Sequence, residues 1–328
     1  MNKPPILSIC MLVYNQPEDV QRLLGSISSQ IDERVEIVIR DDSTNDDTKK
    51  IVHTFSQIPQ LKYHKGSKQG IDKTILFLTK AATGRFIWWM GDDDISSDAI
   101  GRILDLIIKY PDLGFLWANY KIINTDTVAI DIPESRFFKD IDELLEKSGT
   151  ALGFISSCIF NRLLALNSLE DAKRYIGTEF VNLFIVLHVI TSSKKCYFLC
   201  EPIVLCYPAS NEEIKKNKVK DNGLIENNAF NVFGVHFFEI VSYYSDHFRK
   251  KTIRNVIKKS FGQTWRGVLV GWAGGWVTPR GKRIKMIKVF YKYPEAWIAI
   301  ILFSLPSILN KSMYGLYRYT KYKILSKK

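Results

Sequence analysis

FIWWMGDDDIS, from Phe86 to Ser96, joins five apolar residues to one glycine and three adjacent aspartates. A short, wholly apolar run that ends at a glycine is typical of a strand buried on both faces of a parallel sheet. Adjacent carboxylates repel one another unless a cation neutralises them, and oxygen ligands suit Mg²⁺ or Mn²⁺. The stretch therefore predicts a strand that ends at a metal site. The alternative is a solvated loop in which Asp94 or Ser97 caps the following helix.

Strands and helices alternate on both sides of this stretch. Apolar runs predict strands at 6–13, 35–40, 61–64, 86–90 and 113–119. Helical periodicity and helix-start residues predict helices at 17–30, about 43–56, 70–82 and from the acidic turn to 109. This alternation predicts an α/β fold with a mostly parallel central sheet and helices on both faces.

Ligands of such sheets bind beyond the carboxyl ends of the strands, and three predicted strand ends carry polar residues. They are Tyr14-Asn15, Asp41-Asp42 and Asp92–Asp94. An acid at a strand end can accept hydrogen bonds from a nucleobase or ribose, and an aromatic ring there can stack on a base. Each feature also has a structural reading: the acids after 35–40 can belong to a helix start, and Tyr14 can close the core.

Composition indicates a folded protein whose charge is unevenly distributed. The 328 residues are 46% apolar and 24% charged, with a net charge of +12. Residues 211–328 carry 23 Lys and Arg against 7 Asp and Glu, so the excess of positive charge lies there. Cys196, Cys200 and Cys206 lie in an apolar stretch and are interpreted as reduced core residues, and the five histidines lack zinc-site spacing. No leader pattern precedes the first strand, so the expected compartment is the cytoplasm.

The basic part predicts a second domain at 211–328, mainly helical and rich in aromatics, after a catalytic domain at 1–210. WIAIILFSLPSIL, residues 297–309, has 13 residues without a charge, whereas a membrane span needs about 20. We therefore expect an interfacial segment on an anionic membrane surface, at the inner face of the cytoplasmic membrane. Packing of this tail on the catalytic domain is the alternative. No nucleic-acid module is recognisable, so nucleic acid is not the expected partner.

Three stretches together carry a family resemblance: SICMLVYN, VEIVIRDDSTNDDT and KQGIDKTILFLTKAATGRFIWWMGDDD. Their order resembles the nucleotide-sugar half of the GT-A fold in family 2 inverting glycosyltransferases. The abequosyltransferase-like branch, which builds bacterial surface polysaccharides, is the most similar. The likeness spans about residues 6–120, continues more loosely to the EPIVLCY stretch, and leaves 211–328 uncovered.

The resemblance implies a donor-binding role for five residues. Tyr14 matches the residue that stacks on the base, and Leu12 lies in the same pocket, where the family often has proline. Asp42 matches the acid that binds the base. Lys73 lies in a segment that often contacts the nucleotide, and Asp92 lies beside the metal site.

The resemblance also implies a metal and a catalytic base. Asp93 matches the main ligand of Mg²⁺ or Mn²⁺, with Asp94 beside it, while Gly91 stands where most members carry a first acid. Glu179 matches the base that takes a proton from an acceptor hydroxyl, although Phe180 follows where many members have a second acid. An acid favoured by a helix N-terminus is the structural reading of Glu179.

The expected activity is transfer of a sugar from a nucleotide-diphosphate donor to a saccharide acceptor, itself expected to be polyprenyl-diphosphate-linked. A sugar-nucleotide pyrophosphorylase is one alternative, but it would need a glycine-rich basic loop where YNQPEDVQ stands. An inactive relative that only binds nucleotide or polysaccharide is the other.

Overall fold

The structure is a computed structural model that describes residues 4–125, 127–207 and 236–259. The chain forms two compact units, Met1–Pro208 and Ala209–Lys328. The first unit is built on a nine-stranded sheet.

The first half of the sheet is parallel. Its strands are β1 (Leu7–Val13), β2 (Val35–Asp41), β3 (Leu61–Lys65) and β4 (Phe86–Met90). β1 pairs with β2 and β4, and β2 pairs with β3, all in parallel register. Because these strands run the same way, their carboxyl ends meet at one edge of the sheet.

The second half of the sheet is mixed. Its strands are β5 (Asp94–Ile95), β6 (Phe115–Ile122), β7 (Arg136–Phe137), β8 (Cys158–Asn161) and β9 (Cys196–Cys206). The order of the whole sheet is β3-β2-β1-β4-β8-β6-β9-β5, with β7 paired to β9. β8 runs antiparallel to β4 and β6, whereas β6 and β9 are parallel. The predicted α/β class with a central sheet is confirmed, and the strictly parallel part ends at β4.

Helices cover both faces of the sheet. They are α1 (Pro17–Ser28), α2 (Asp47–His53), α3 (Ile71–Ala81), α4 (Ala99–Lys109), α5 (Ile141–Ser148), α6 (Arg162–Leu166), α7 (Leu169–Ala172) and α8 (Val181–Ser193). Side chains of α1, α2 and α4 share one core with alternate residues of β1. On the opposite face of β1, the Cys10 thiol lies 3.9 Å from the Leu78 carbonyl of α3.

Helix α2 is shorter than its sequence predicts. It begins at Asp47 rather than near Ser43, and it ends at His53. The Ser43 hydroxyl accepts a hydrogen bond from the Asn15 backbone N–H (2.8 Å), so it joins two strand ends instead of capping the helix. All five cysteines are free thiols; Cys196 is buried, as predicted, whereas Cys200 and Cys206 are only half-buried.

Little of the second unit is described. It contains α9 (Phe237–Tyr243) and a helix over 250–259. The interfacial segment predicted at 297–309 lies outside the described residues. Within the described ranges, no helix combines the length and apolar character needed to cross a membrane.

Candidate active site

A cavity of about 380 Å³ lies at the carboxyl ends of β1, β2 and β4. Cavities of a few hundred Å³ are the usual size of small-molecule sites. Four residues predicted from the sequence line it, namely Leu12, Tyr14, Asp42 and Asp92. They meet there because parallel strands end at the same edge, as the strand pattern predicts.

Lys73, the other predicted donor contact, is exposed on α3. The lysine among the described lining residues is Lys68, in the loop before α3. A helix turns by about 100° per residue, so neighbouring positions of α3 face different ways. Ile71 and Thr74 of α3 reach the cavity, and Lys73 does not lie among the described lining residues.

Asp42 is a buried carboxylate with two side-chain partners. Arg40 donates through Nε to its Oδ1 (2.7 Å), and the Thr74 hydroxyl donates to its Oδ2 (2.7 Å). Gly66 lies directly beneath this arrangement, because a Cβ there would come within 2.2 Å of Asp42 Oδ1 and 2.0 Å of Arg40 Nη2. The carboxylate is thus held in one orientation at the cavity wall.

Tyr14 is more exposed than its neighbours on β1, with 37% of its surface accessible. The Lys68 ammonium lies 4.8 Å from the centre of its ring. The chain turns sharply after Tyr14, since Asn15 has φ 55° and its Oδ1 accepts the Thr44 N–H at 2.9 Å. The sequence alternative that Tyr14 closes the core is therefore wrong, and the ring is available for stacking.

The three aspartates after β4 have three different environments. Asp92 is exposed at the cavity, whereas Asp93 and Asp94 are buried. Asp93 Oδ2 accepts a hydrogen bond from the Ser156 hydroxyl (2.6 Å). Burial raises the pKa of Asp93; the Ser156 hydrogen bond opposes that rise, and the neighbouring Asp92 charge adds to it.

Asp94 is held by an arginine from α1. The Arg22 Nε lies 2.9 and 3.0 Å from the two carboxylate oxygens of Asp94, and the Tyr207 hydroxyl donates to Oδ2 (2.8 Å). Arg22 Nη2 also donates to the Asp92 carbonyl (2.6 Å), and its guanidinium lies 3.8 Å from the Tyr207 ring centre. Asp98, rather than Asp94 or Ser97, occupies the N-cap of α4, so the helix-cap alternative is wrong.

A divalent ion fits Asp92 and Asp93 better than Asp94. Among the described residues, no group of three or more His, Cys, Asp or Glu side chains is arranged to hold a metal. Mg²⁺ and Mn²⁺ sites at nucleotides commonly use one or two carboxylates and take the remaining oxygens from phosphates and water. Asp92 lines the cavity, and the buried Asp93 follows it in the chain without being among the described lining residues, while the Asp94 carboxylate already binds Arg22.

Glu179 lies just before α8, in an unusual backbone conformation. Its φ is 61°, and its side chain is exposed. Its backbone N–H donates to Asp72 Oδ2 (2.9 Å). Asp72 lies on α3 between Ile71 and Thr74, which line the cavity. Helix α3 therefore connects the Glu179 segment to the cavity wall.

Sequence reasoning missed four residues at this site: Arg22, Lys68, Asp72 and Thr74. Thr74 contacts Asp42 across 32 residues of sequence, Arg22 contacts Asp94 across 72 residues, and Asp72 binds a segment more than 100 residues away. Lys68 lies in a loop without a motif. Local sequence patterns carry no signal for such pairs.

The chain is similar in sequence to known proteins. Residues 8–166 match the family Glycosyl transferase family 2. The chain is 23% identical over 237 residues to abequosyltransferase RfbV of Salmonella typhimurium, which covers 66% of this chain and 70% of that protein. It is 26% identical over 223 residues to UDP-Glc:alpha-D-GlcNAc-diphosphoundecaprenol beta-1,3-glucosyltransferase WfgD of Escherichia coli, which covers 66% of this chain and 82% of that protein.

Solved structures share the fold at low sequence identity. S. aureus TarS 1–349 in complex with UDP-GlcNAc has a TM-score of 0.61 at 15% identity and covers 93% of this chain and 88% of its own. Mannosyltransferase PcManGT from Pyrobaculum calidifontis, in complex with GDP-Man and Mn²⁺, has a TM-score of 0.55 at 11% identity. The match covers 96% of this chain and 88% of the mannosyltransferase chain. The chain has the GT-A fold and carries a glycosyl transferase family 2 domain, and the protein is a glycosyltransferase.

Proposed function

We propose that this protein is a metal-dependent inverting glycosyltransferase of bacterial surface polysaccharide synthesis. It would move a sugar from a nucleotide-diphosphate donor to a hydroxyl of a lipid-linked saccharide. The observation that carries this proposal is the cavity at the sheet edge, where Tyr14, Asp42 and Asp92 meet in a glycosyl transferase family 2 domain.

The donor's base would lie between the β1 and β2 ends. Tyr14 would stack on the ring with Leu12 beside it, and the Asp42 carboxylate would accept a base N–H. Lys68 replaces Lys73 as the cationic donor contact in this proposal, because Lys68 lies among the described lining residues of the cavity and Lys73 does not. The two structural neighbours are in complex with UDP-GlcNAc and with GDP-Man, so a nucleoside-diphosphate sugar is the class of ligand we expect.

Asp92 and Asp93 would hold the divalent ion, and Asp94 would anchor their loop through Arg22. This revises the sequence-based expectation that Asp94 is a ligand, since its carboxylate already binds Arg22 and Tyr207. When bound, Mg²⁺ or Mn²⁺ neutralises the diphosphate and makes it a better leaving group.

Glu179 would act as the general base. Its carboxylate would take the proton of the acceptor hydroxyl while that oxygen attacks the anomeric carbon. Attack from the face opposite the leaving nucleoside diphosphate inverts the configuration. The exposed position of Glu179, on a segment tied to α3, suits a group that meets an incoming acceptor.

The acceptor and the location rest on two further arguments. The name of WfgD describes an undecaprenol diphosphate acceptor, and a lipid-linked acceptor would require the enzyme at the membrane. Residues 211–328 carry the excess of basic residues that would attract an anionic inner surface. Most of this segment lies outside the described residues, so peripheral attachment stays a prediction.

The test combines a donor panel with matched variants. Calorimetry with UDP-, CDP-, GDP- and dTDP-sugars and Mn²⁺ identifies the donor, and a transfer assay then compares the purified variants. Glu179→Gln should lose about 10²–10⁴-fold in rate and keep donor affinity. Asp93→Ala should lose the Mn²⁺-dependent part of donor binding. Lys68→Ala should weaken donor binding, with Lys73→Ala as the matched control that does not.

Two results would overturn the proposal. Unchanged donor affinity with and without Mn²⁺ in both the parent and Asp93→Ala would remove the metal site. Near-normal turnover of Glu179→Gln would remove the assigned base. Pyrophosphate-dependent release of a nucleoside triphosphate from the donor would instead identify a pyrophosphorylase.

A further inference from the structure

Asp72 is a buried carboxylate that binds a distant part of the chain. Only 4% of the residue is accessible. Its Oδ2 accepts the backbone N–H groups of Gly177 (2.7 Å) and Glu179 (2.9 Å), and its Oδ1 accepts that of Val181 (3.1 Å). One side chain thus receives three main-chain hydrogen bonds from a segment more than 100 residues away.

The segment that Asp72 binds has a strained backbone. Gly177 has φ 91° and Glu179 has φ 61°, both in the left-handed region. Glycine adopts this region freely, whereas a glutamate there is unfavourable and persists only when its surroundings hold it. Asp72 supplies such a restraint, because it binds the N–H of Glu179 itself and those of residues on either side.

The position of Asp72 connects this segment to the donor cavity. Asp72 lies in the first turn of α3, next to Ile71, which lines the cavity. Two residues later, Thr74 lines the same cavity and donates to Asp42. A single helical turn therefore contacts both the residues that would hold the base of the donor and the residue that would deprotonate the acceptor.

We propose that Asp72 is a positioning residue that fixes Glu179 relative to the bound donor. This inference rests on the proposed role of Glu179 as the general base. Asp72 touches neither donor nor acceptor; it sets the main-chain conformation from which the Glu179 carboxylate reaches the acceptor hydroxyl. A displacement of about 1 Å at such a group can lower a rate by roughly 10²-fold. The competing explanation is that Asp72 only caps the N-terminus of α8 and contributes stability alone.

A double-variant cycle distinguishes the two explanations. Asp72→Asn keeps the size of the side chain but replaces one acceptor oxygen by an NH₂ donor, which faces backbone N–H groups. It is made in the parent and in Glu179→Gln, and kcat is normalised to the donor-binding fraction measured by calorimetry. In the parent we expect kcat to fall by about 10–100-fold while the donor KM changes by less than about 2-fold. In Glu179→Gln the same change should lower the residual rate by less than about 3-fold, because the group being positioned is already absent.

The matched control is Asp140→Asn. Asp140 caps α5, where its Oδ1 accepts the Glu143 N–H at 2.8 Å, and it is not among the described lining residues of the cavity. We expect its kcat to stay within about 2-fold of the parent, since the change weakens a helix cap without altering a described cavity residue. If Asp72→Asn does not fold, Asp72→Glu retains both acceptor oxygens but shifts them by one methylene, and the same cycle applies.

Equal losses from Asp72→Asn in the parent and in Glu179→Gln would overturn the inference while leaving Glu179 as the base. A donor KM that rises in step with the fall in kcat would also overturn it, by assigning Asp72 to the donor site. Near-normal turnover of Glu179→Gln alone would instead refute the proposed base, and would do so whatever Asp72→Asn shows.

Discussion

Arg22→Ala is the substitution that most directly tests how the aspartate loop is held. Arg22 binds both oxygens of Asp94 and the carbonyl of Asp92, and it stacks on Tyr207. Its loss would leave the Asp94 carboxylate, 8% exposed, with the Tyr207 hydroxyl as its described side-chain partner. Arg22 itself is 30% exposed, so solvent weakens the interaction relative to a fully buried pair.

The expected cost follows from these contacts. A hydrogen bond to a charged group contributes about 1.5–3 kcal/mol, and a partly exposed cation–π contact about 0.5–1 kcal/mol. After allowance for exposure, we expect Arg22→Ala to lower the free energy of unfolding by about 2–3 kcal/mol. For a unit of this size that corresponds to a fall in Tm of roughly 5–10 °C.

Arg34→Ala is the matched control. Arg34 makes a similar two-oxygen contact with Asp32, at 3.1 and 3.0 Å from Nε, but the two side chains are 43% and 35% exposed. Exposed pairs contribute about 0–1 kcal/mol, so this variant should lose no more than that. Arg22→Ala/Asp94→Asn should recover part of the loss, because the buried charge without its partner is removed.

Urea unfolding of the three variants and the parent measures these differences directly. Equal losses of unfolding free energy in Arg22→Ala and Arg34→Ala would refute the claim that the less exposed Arg22–Asp94 pair contributes more stability than the exposed Arg34–Asp32 pair. A double variant less stable than Arg22→Ala would refute the part that concerns the Asp94 charge. Donor affinity in the presence of Mn²⁺ is a second measurement: it should fall in Arg22→Ala and stay unchanged in Arg34→Ala.

Two further substitutions test the packing around the site and the sheet. Gly66→Ala should lower donor affinity, because its Cβ would displace Arg40 and Asp42. Gly25→Ala is the control: Gly25 is exposed on α1, and an added Cβ would meet no described atom within 4 Å beyond its own helix, so this variant should keep donor affinity and add up to about 1 kcal/mol of stability. Glu36→Gln should cost about 2–3 kcal/mol at pH 7 in urea unfolding, and a loss below about 0.5 kcal/mol would contradict this. Burial alone would raise the pKa of Glu36, but hydrogen bonds from Lys62, Ser8 and Thr83 outweigh it and lower that pKa. The contribution of Glu36 is therefore present above its ordinary pKa of 4.5, is lost as pH falls through the lowered value, and should be absent from the pH profile of Glu36→Gln.

Local pattern predicts most of the first unit. Short apolar runs identify the four parallel strands, and helix α3 begins and ends within one residue of its predicted range. Leu12, Tyr14, Asp42 and Asp92 could be placed at one site because parallel strands bring their carboxyl ends together. The mixed half of the sheet was not predictable in this way, since the antiparallel insertion of β8 between β4 and β6 depends on long-range pairing.

The surroundings of Lys73 and Asp94 depend on tertiary contacts rather than on neighbours in the sequence. Lys73 was chosen by its place in a motif, whereas access to the cavity depends on which side of α3 a residue occupies. Asp94 was grouped with its neighbours, whereas its orientation is set by Arg22, which lies 72 residues earlier. In both cases the deciding feature is tertiary, so adjacency in the sequence does not predict it.

The three adjacent aspartates can lie side by side because each carboxylate has a different environment. Arg22 neutralises Asp94, and solvent at the cavity mouth stabilises Asp92. Asp93 is buried and accepts a hydrogen bond from Ser156; burial raises the pKa of both Asp93 and Asp94, against hydrogen bonds from Ser156 and Cys206 in one case and from Tyr207 and Arg22 in the other. A bound cation would act on Asp92 and Asp93, because the Asp94 carboxylate already binds Arg22. The same division gives a role to the arginine from α1: by binding Asp94 and the Asp92 carbonyl, Arg22 fixes the loop that places Asp92 at the cavity.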